Sequence, residues 1–446
     1  MSRLRLVALP LVVGILAAIA AWVRMPPVAQ RTLWAEDSTE FIQRALDGGP
    51  GGNVFLPYAG YLQFVPRVVA EFVVHVVPVA HWALAMTAAA ALISGAIGAV
   101  VVICAREVLP SWPLRVVAGS ITVLLPLLPN EVLGNEANLH WIFLWLAPWL
   151  LLANPRTRWG GIVLGLVALV AALNDIQLVV FVPLLLFRWR PSRRWWVRAG
   201  YLIGVAAELV ATLARPRTIQ ERPPAPPVDL LGGFVWHVIL PIYDDRVPDL
   251  AGLHALLTPQ AVALVVAAIV PFVALAVVAL LRGAPVQRAA TIAFVAGSLL
   301  LWIAAVLVNG PRGDLSLLRY GVVPGMLLVA SALVGAQVLW SGRARATISA
   351  PAGAPPTRQL AAVEIARRVI GIAAVAGLVV LLLLQFSPTI VRRSAGPVWG
   401  VGIQHARDVC ERRPAAYGVY IPAAPQSDPA VVPPWRVVLT CAQVRP

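Results

Sequence analysis

Eleven apolar runs recur along this chain, separated by short polar stretches rich in Arg, Pro and Trp: residues 6–23, 80–104, 116–133, 139–153, 159–174, 176–188, 199–214, 260–281, 289–308, 321–340 and 368–387. Most have the length of about 17–25 residues that a helix needs to cross a bilayer. The runs 139–153 and 176–188 are short and are expected to tilt, break or continue past these limits. The pattern predicts an all-α polytopic membrane protein of about eleven transmembrane helices. Residues 1–387 form the membrane domain and 388–446 a small outer tail.

The intervening stretches predict smaller elements. Residues 24–79 form a large first outer loop. In it, Asp37 followed by Glu40 has the form of a capping box, which starts a helix over Ser38–Leu46 that Gly48-Gly49 stops. Pro66 starts a second helix, on which Arg67, Glu71 and His75 share one face while Val, Phe and Ala fill the others. That is the signature of an amphipathic helix at a membrane surface. Residues 215–259 form a second outer loop opened by Pro223-Pro224-Ala225-Pro226-Pro227, which favours extended geometry. Residues 341–367, rich in Ala, Pro and Arg, read as a disordered inner loop. The tail contains β-favouring residues such as Val437-Val438-Leu439.

Composition supports the membrane assignment. Apolar residues make up 60% and charged residues 12%, with a mean hydropathy of +0.82. A soluble domain has about 25% charged residues. Charge placement sets the expected orientation. All 35 basic residues are arginine, and with the N-terminus inside, 18 of them fall on the inner side against two acids, Glu107 and Glu364. The outer side carries 17 arginines against 17 acids, and Glu208 falls inside a span. This is a positive-inside pattern, so the net charge of +15 reports topology and attraction to an anionic inner leaflet, not nucleic-acid binding. The expected location is a bacterial plasma membrane, crossed many times, with a cytoplasmic N-terminus and an extracytoplasmic C-terminus. The first apolar run has the flanks of a signal peptide, but its length through Val23 favours a retained anchor. Cys410 and Cys441 both fall in the outer tail, where a disulfide is compatible with an oxidising compartment.

Candidate chemistry gathers at the outer side. Trp34-Ala35-Glu36-Asp37 places two carboxylates just beyond the first span. Asp37 reads either as a helix cap or as a general base that removes a proton from an acceptor hydroxyl, and the two roles are compatible. Asn130-Glu131 and Asn135-Glu136-Ala137-Asn138-Leu139-His140-Trp141, at the junction of the third and fourth spans, offer donors and acceptors suited to sugar hydroxyls and a stacking face. The alternative there is a polar turn with a Trp belt. Asn174-Asp175 and Gln177 stand at the outer end of the fifth span. Glu208 is a structural partner or a functional group within the seventh. Asp314 and Arg319-Tyr320 close the loop before the tenth span, where the guanidinium meets either a phosphate or Asp314. Asp244, Asp245 and Asp249 read as solvated turn charges. No Ser-His-Asp, P-loop or metal-ligand arrangement stands out.

Trp34-Ala35-Glu36-Asp37, Pro57-Tyr58-Ala59-Gly60-Tyr61, Pro66-Arg67, Asn138-Leu139-His140-Trp141 and Arg319-Tyr320 together resemble the GT-C superfamily of polytopic membrane glycosyltransferases, in particular its uncharacterised bacterial and actinobacterial members. The resemblance implies an inverting transfer of a sugar from a polyprenyl-phosphate donor to an envelope glycan, lipid or protein acceptor. No cofactor is expected, a divalent metal being the alternative. It implies Asp37, with Glu36 as rival, as the base. Arg67, Arg319 and Tyr320 would hold the donor phosphate. Tyr58, Tyr61, Asn135, Glu136, Asn138, His140, Trp141 and Asp175 would surround the sugar and acceptor. The chain departs from the better-known members in its Glu-Asp-Ser order and its small C-terminal domain. The alternatives are a polytopic transporter or lipid flippase and a non-catalytic envelope-assembly protein.

Overall fold

The computed structural model describes residues 3–188, 192–216, 227–246, 258–309, 318–341, 358–413, 418–425 and 435–445. Asp249, Asp314 and the run Pro223–Ala225 with Pro226 lie outside the described residues. Seven described helices are long and apolar enough to cross a membrane: Val79–Glu107, Trp112–Glu131, Trp195–Ala214, Val262–Arg282, Pro285–Val308, Leu318–Trp340 and Ala362–Leu384. Shorter apolar helices, Ala8–Val23, Leu139–Leu152, Arg158–Ala172, Ile176–Leu186 and Leu230–Ile242, complete the bundle. The protein is mostly helical, as an all-α membrane protein should be.

The distribution of apolar residues decides the layers. Leu139–Leu152 is apolar on every side and is buried along its whole length, with Trp145 and Trp149 at its centre. A helix with no polar face has its best environment in the middle of a bundle. Leu318–Trp340 is 89% buried in its apolar window, whereas Val262–Arg282 is 6% buried and Ala362–Leu384 17%. The first is therefore central, and the latter two present their flanks to the surroundings. Close approaches fix neighbouring helices. A Cβ on Gly95 would stand 2.5 Å from the Gly14 carbonyl, and one on Gly200 would stand 2.0 Å from the Gly165 carbonyl. Small residues at these crossings let backbones touch, which is how helices gain packing energy in lipid.

One span is broken. The helix Trp112–Leu124 ends where Leu125 turns extended before Pro126, as residues preceding proline prefer. A short turn, Leu128–Glu131, follows. The break exposes carbonyls, and Arg24, 1% exposed, takes them: it donates to Val123 and Leu125 and, across the bundle, to Phe386 (2.8 Å) and Gln385 (3.2 Å). The run near 176–188 forms a 3₁₀ helix, Ile176–Leu186, whose start is capped by Asp175 accepting from the Gln177 amide at 2.8 Å.

The polar connections differ from expectation in several places. The first-loop helix is present but opens as a π-helical turn, Asp37–Ile42, continuing as Gln43–Gly48 and stopping at Gly49, φ +65°. Asp37 does not cap it, because its carboxylate is taken up elsewhere. The second helix spans Phe64–Val76, two residues ahead of Pro66. Part of the predicted second loop is an apolar helical stretch, Pro227–Tyr243, packed on the bundle. The helix Arg358–Leu384 begins inside the stretch expected to be disordered. Asp244 pairs with Arg246 in an exposed turn, but Asp245 is buried and accepts from the Thr389 amide and hydroxyl at 2.9 Å, so it is no solvated charge.

The tail contains the helix Trp399–Arg412 and an antiparallel pair, β1 (Val419–Pro422) and β2 (Arg436–Leu439), with Val419 opposite Leu439. A disulfide joins Cys410 to Cys441. Its apolar residues, Ile403, Ile421, Val437 and Leu439 among them, share one cluster with Leu33, Phe41, Ile42 and Trp82. Backbone bonds join the two regions as well: Ala35 donates to Ala424 (2.6 Å), Ala424 to Leu33 (2.9 Å) and Trp399 to Arg31 (2.8 Å). The tail and the first loop therefore make one core above the bundle.

Candidate functional site

Beneath that shared core lies a cavity of about 270 Å³, at the end where the first loop, the broken span and the start of Leu318–Trp340 meet. The two central helices both begin here, at Leu139 and Leu318, so their positive dipole ends lie at the cavity.

One wall is the turn Tyr58–Tyr61, closed by Tyr58 N–H to the Tyr61 carbonyl (2.9 Å) and the reverse bond (3.1 Å). Its two middle residues, Ala59 (φ +52°) and Gly60 (φ +90°), are left-handed. Glycine accepts this freely, whereas alanine incurs a strain of about 1 kcal/mol, so the surroundings must hold the turn. They do: the Thr212 hydroxyl donates to Gly60, and the buried Glu208 carboxylate accepts the Leu62 amide at 3.1 and 3.2 Å. Glu208 thus has a structural partner. Asn174 acts alike, accepting the Val65 amide at 3.0 Å.

A second wall is aromatic. Tyr61 lies 5.9 Å from His140, His140 4.4 Å from Trp141, and Trp141 edge-on at 5.4 Å to Tyr320. Asn138 accepts from the Trp141 indole at 3.1 Å and donates to the Glu131 carbonyl at 3.1 Å, which fixes the ring plane. His140 Nδ1 lies 2.7 Å from the Ala137 carbonyl and so carries the hydrogen, leaving Nε2 4.0 Å from Asp175. Asp175 is fully buried behind this wall and does not line the cavity.

The charged wall is Glu36 and Arg319. Among the described residues no other residue hydrogen-bonds the Glu36 carboxylate, which accepts its own backbone amide. Burial raises its pKa above the ordinary value, with Arg319 opposing. Arg319 pairs with Glu131, whose other oxygen meets Arg392 at 3.0 Å. Arg392 also lies over the Trp34 ring at 5.7 Å. Two guanidinium groups on one buried carboxylate leave a net positive charge beside Glu36.

Asp37 points away from this cavity. It is 1% exposed, and its Oδ1 accepts the Ala137 amide at 2.8 Å. Burial pushes its pKa up to about 7, opposed by that hydrogen bond and by Arg393. Glu136 is fully buried, neither of its oxygens has a partner, and burial followed by repulsion from Asp37 raises its pKa well above the usual range. Arg393 closes the group by donating to Leu133 (3.0 Å), Thr32 (3.3 Å) and Thr87 (3.4 Å). Gly134, φ +64°, makes room for it, since a Cβ there would stand 2.6 Å from Arg393 Nη2.

Of the residues singled out by sequence, the structure brings Glu36, Tyr58, Tyr61, Asn138, His140, Trp141, Arg319 and Tyr320 to one cavity. Asp37, Asn135, Glu136 and Asp175 are buried behind its walls, and Asn135 donates to the Glu131 carbonyl. Arg67 is also elsewhere: it is 2% exposed, lies 5.5 Å from the Phe41 ring centre and donates to Leu62 (3.1 Å) and Glu40 (3.3 Å), so it knits the first loop. Sequence reasoning missed Arg392 and Arg393, whose proximity to Glu131 and Asp37 has no local signal. Among the described residues no group of three or more His, Cys, Asp or Glu could hold a metal ion. No protein-family model, curated protein or solved structure matches the chain.

Proposed function

We propose that this chain is a glycosyltransferase of the GT-C kind, crossing a bacterial plasma membrane about eleven times, with the cavity at its extracytoplasmic face. The donor is a polyprenyl-phosphate sugar and the acceptor an envelope glycan, lipid or protein. The observation that carries this reading is the meeting, in one cavity, of a cavity-facing carboxylate, a cation at a helix start and an aromatic wall.

Glu36 is the better placed base. It faces the cavity, and the burial that raises its pKa increases its affinity for the proton it would take. In the reaction the acceptor oxygen attacks the anomeric carbon as its proton passes to Glu36. The bond from that carbon to the phosphate oxygen breaks, and the electron pair leaves with the polyprenyl phosphate. Arg319 and the positive end of its helix stabilise the charge that grows there. Tyr61, Trp141 and Tyr320 stack on the sugar, and a single displacement inverts its configuration. Asp37 and Arg67 then act through the scaffold that holds Glu36.

The break at Leu125 and the 3₁₀ segment favour a second reading, a carrier, because interrupted helices line many transport paths. A transfer assay separates the two. The protein in lipid is given radiolabelled polyprenyl-phosphate sugars and envelope extract. Wild type is expected to label an acceptor, and Glu36→Gln to lower the rate by about 10²–10⁴-fold with folding unchanged. Equal turnover in Glu36→Gln would remove the assigned base. Absence of transfer alongside solute or lipid movement would establish the carrier.

A further inference from the structure

A second cavity lies at the opposite end of the bundle, among the loops that hold most of the arginines. Its volume is about 520 Å³. Its apolar walls come from Leu9, Val102, Ile103, Val163 and Leu164, and its polar groups include Arg106, Arg115 and Arg156 against one carboxylate, Glu107. Glu107 is shared, lying 3.8 Å from Arg106 and 3.7 Å from Arg188. Arg106 also reaches the Asn154 carbonyl at 3.5 Å.

Arg115 is different. It is 7% exposed, its Nε is buried with no partner, and among the described residues no side-chain hydrogen bond or ion pair engages its guanidinium. It stands between this cavity and a smaller one of about 280 Å³ walled by Pro110, Trp112, Pro113 and Trp340. Its terminal nitrogens keep access to the cavity, so its charge faces that space beside Arg106 and Arg156, a cluster that favours an anion between them.

We propose that this cavity binds the phosphate headgroup of an anionic lipid, with Arg115 and Arg156 on the phosphate and an acyl chain along Ile103 and Val163. Two observations choose a lipid over a free anion. The walls are apolar, and Ile103 and Val163, 48% and 56% exposed, continue the apolar surface outward from the charged floor. Trp159, 76% exposed, lines this cavity and Trp112, 54% exposed, lines the adjoining one, as tryptophans do at headgroup level. Basic pockets between helices on the inner side of a membrane suit such headgroups. The inference does not depend on the transferase reading of the other end.

The test uses native mass spectrometry of the full chain released from detergent with phosphatidylglycerol, phosphatidylcholine or inorganic phosphate. One phosphatidylglycerol should be retained in preference to phosphatidylcholine, and millimolar phosphate should not displace it. Arg115→Met and Arg156→Gln should each weaken retention about fivefold, while Arg288→Gln, outside the cavity, should not. Arg115→Met should also raise the thermal midpoint in phosphatidylcholine, because it removes a cation that Arg106 and Arg156 repel, and should lose the stabilisation given by phosphatidylglycerol. Equal retention of the two lipids, displacement by free phosphate, or unchanged retention in both cavity variants would overturn the proposal. Arg156 is exposed, so its variant reports even if Arg115→Met does not fold.

Discussion

The two ends of the bundle handle charge in opposite ways. At the cavity end carboxylates are buried and meet cations from remote parts of the chain: Glu131 pairs with Arg319, 188 residues away, and Arg392, 261 residues away. At the arginine-rich end several cations satisfy nearby backbone carbonyls, while Arg106 reaches Asn154 and Arg188 meets Glu107 from further along the chain. Arg198 donates to Phe187 and Arg188, and Arg288 to Leu281, all within 11 residues. Long-range pairs hold loops from different spans in one arrangement, which a site of several side chains needs. Short-range carbonyl contacts seal individual helix ends and leave positive charge over, which suits an anionic membrane face.

The sharpest break of this contrast is Glu131→Gln. It leaves Arg392 without its carboxylate and Arg319 with Glu36 alone, and should cost about 3 kcal/mol, the low end for a broken buried pair because both guanidinium groups keep some solvent. Thermal unfolding in detergent measures it; a midpoint equal to wild type would mean the pairs do not hold the loops.

The acids behind the cavity give the next effect. Asp37 titrates near 7 in the folded chain against 3.8 ordinarily. Between those values the folded state keeps a proton that the unfolded state has released, so stability is greatest at low pH and falls as pH rises through this window, by roughly 2–4 kcal/mol. Glu136, shifted the same way, adds to the fall. Asp37→Asn should flatten the slope between pH 4 and 7 and leave the part due to Glu136. A wild-type midpoint that does not change across this range would contradict the burial of the pair.

The smallest effect belongs to the other end. Arg158 is exposed and lies 5.9 Å from the Trp196 ring centre, so Arg158→Ala should cost only about 0.5–1 kcal/mol. A larger loss would show that the basic end, too, depends on specific side-chain pairing.

Much of the candidate site was legible from local chemistry. Aromatic and amide residues at the starts of two apolar helices, His140 and Trp141 beside Tyr320, do line one cavity, because a helix start fixes where its first side chains go. The choice between Glu36 and Asp37 was not legible. Adjacent residues on a helical turn point in different directions, and only packing against Ala137 turned Asp37 inward. Arg67 looked like a phosphate ligand by type and loop, but the carbonyls of Leu62 and Glu40 claimed it.

The sequence by itself determined that the chain is a mostly helical membrane protein, where most of its apolar helices lie, though not Leu230–Ile242, and which loops carry the arginines. These follow from transfer free energies that depend on residue type and run length alone. Tertiary structure decided which helices are central, that the tail shares a core with the first loop, and that Arg392 and Arg393 reach Glu131 and Asp37. Those outcomes depend on contacts between residues hundreds of positions apart, and no local pattern encodes them.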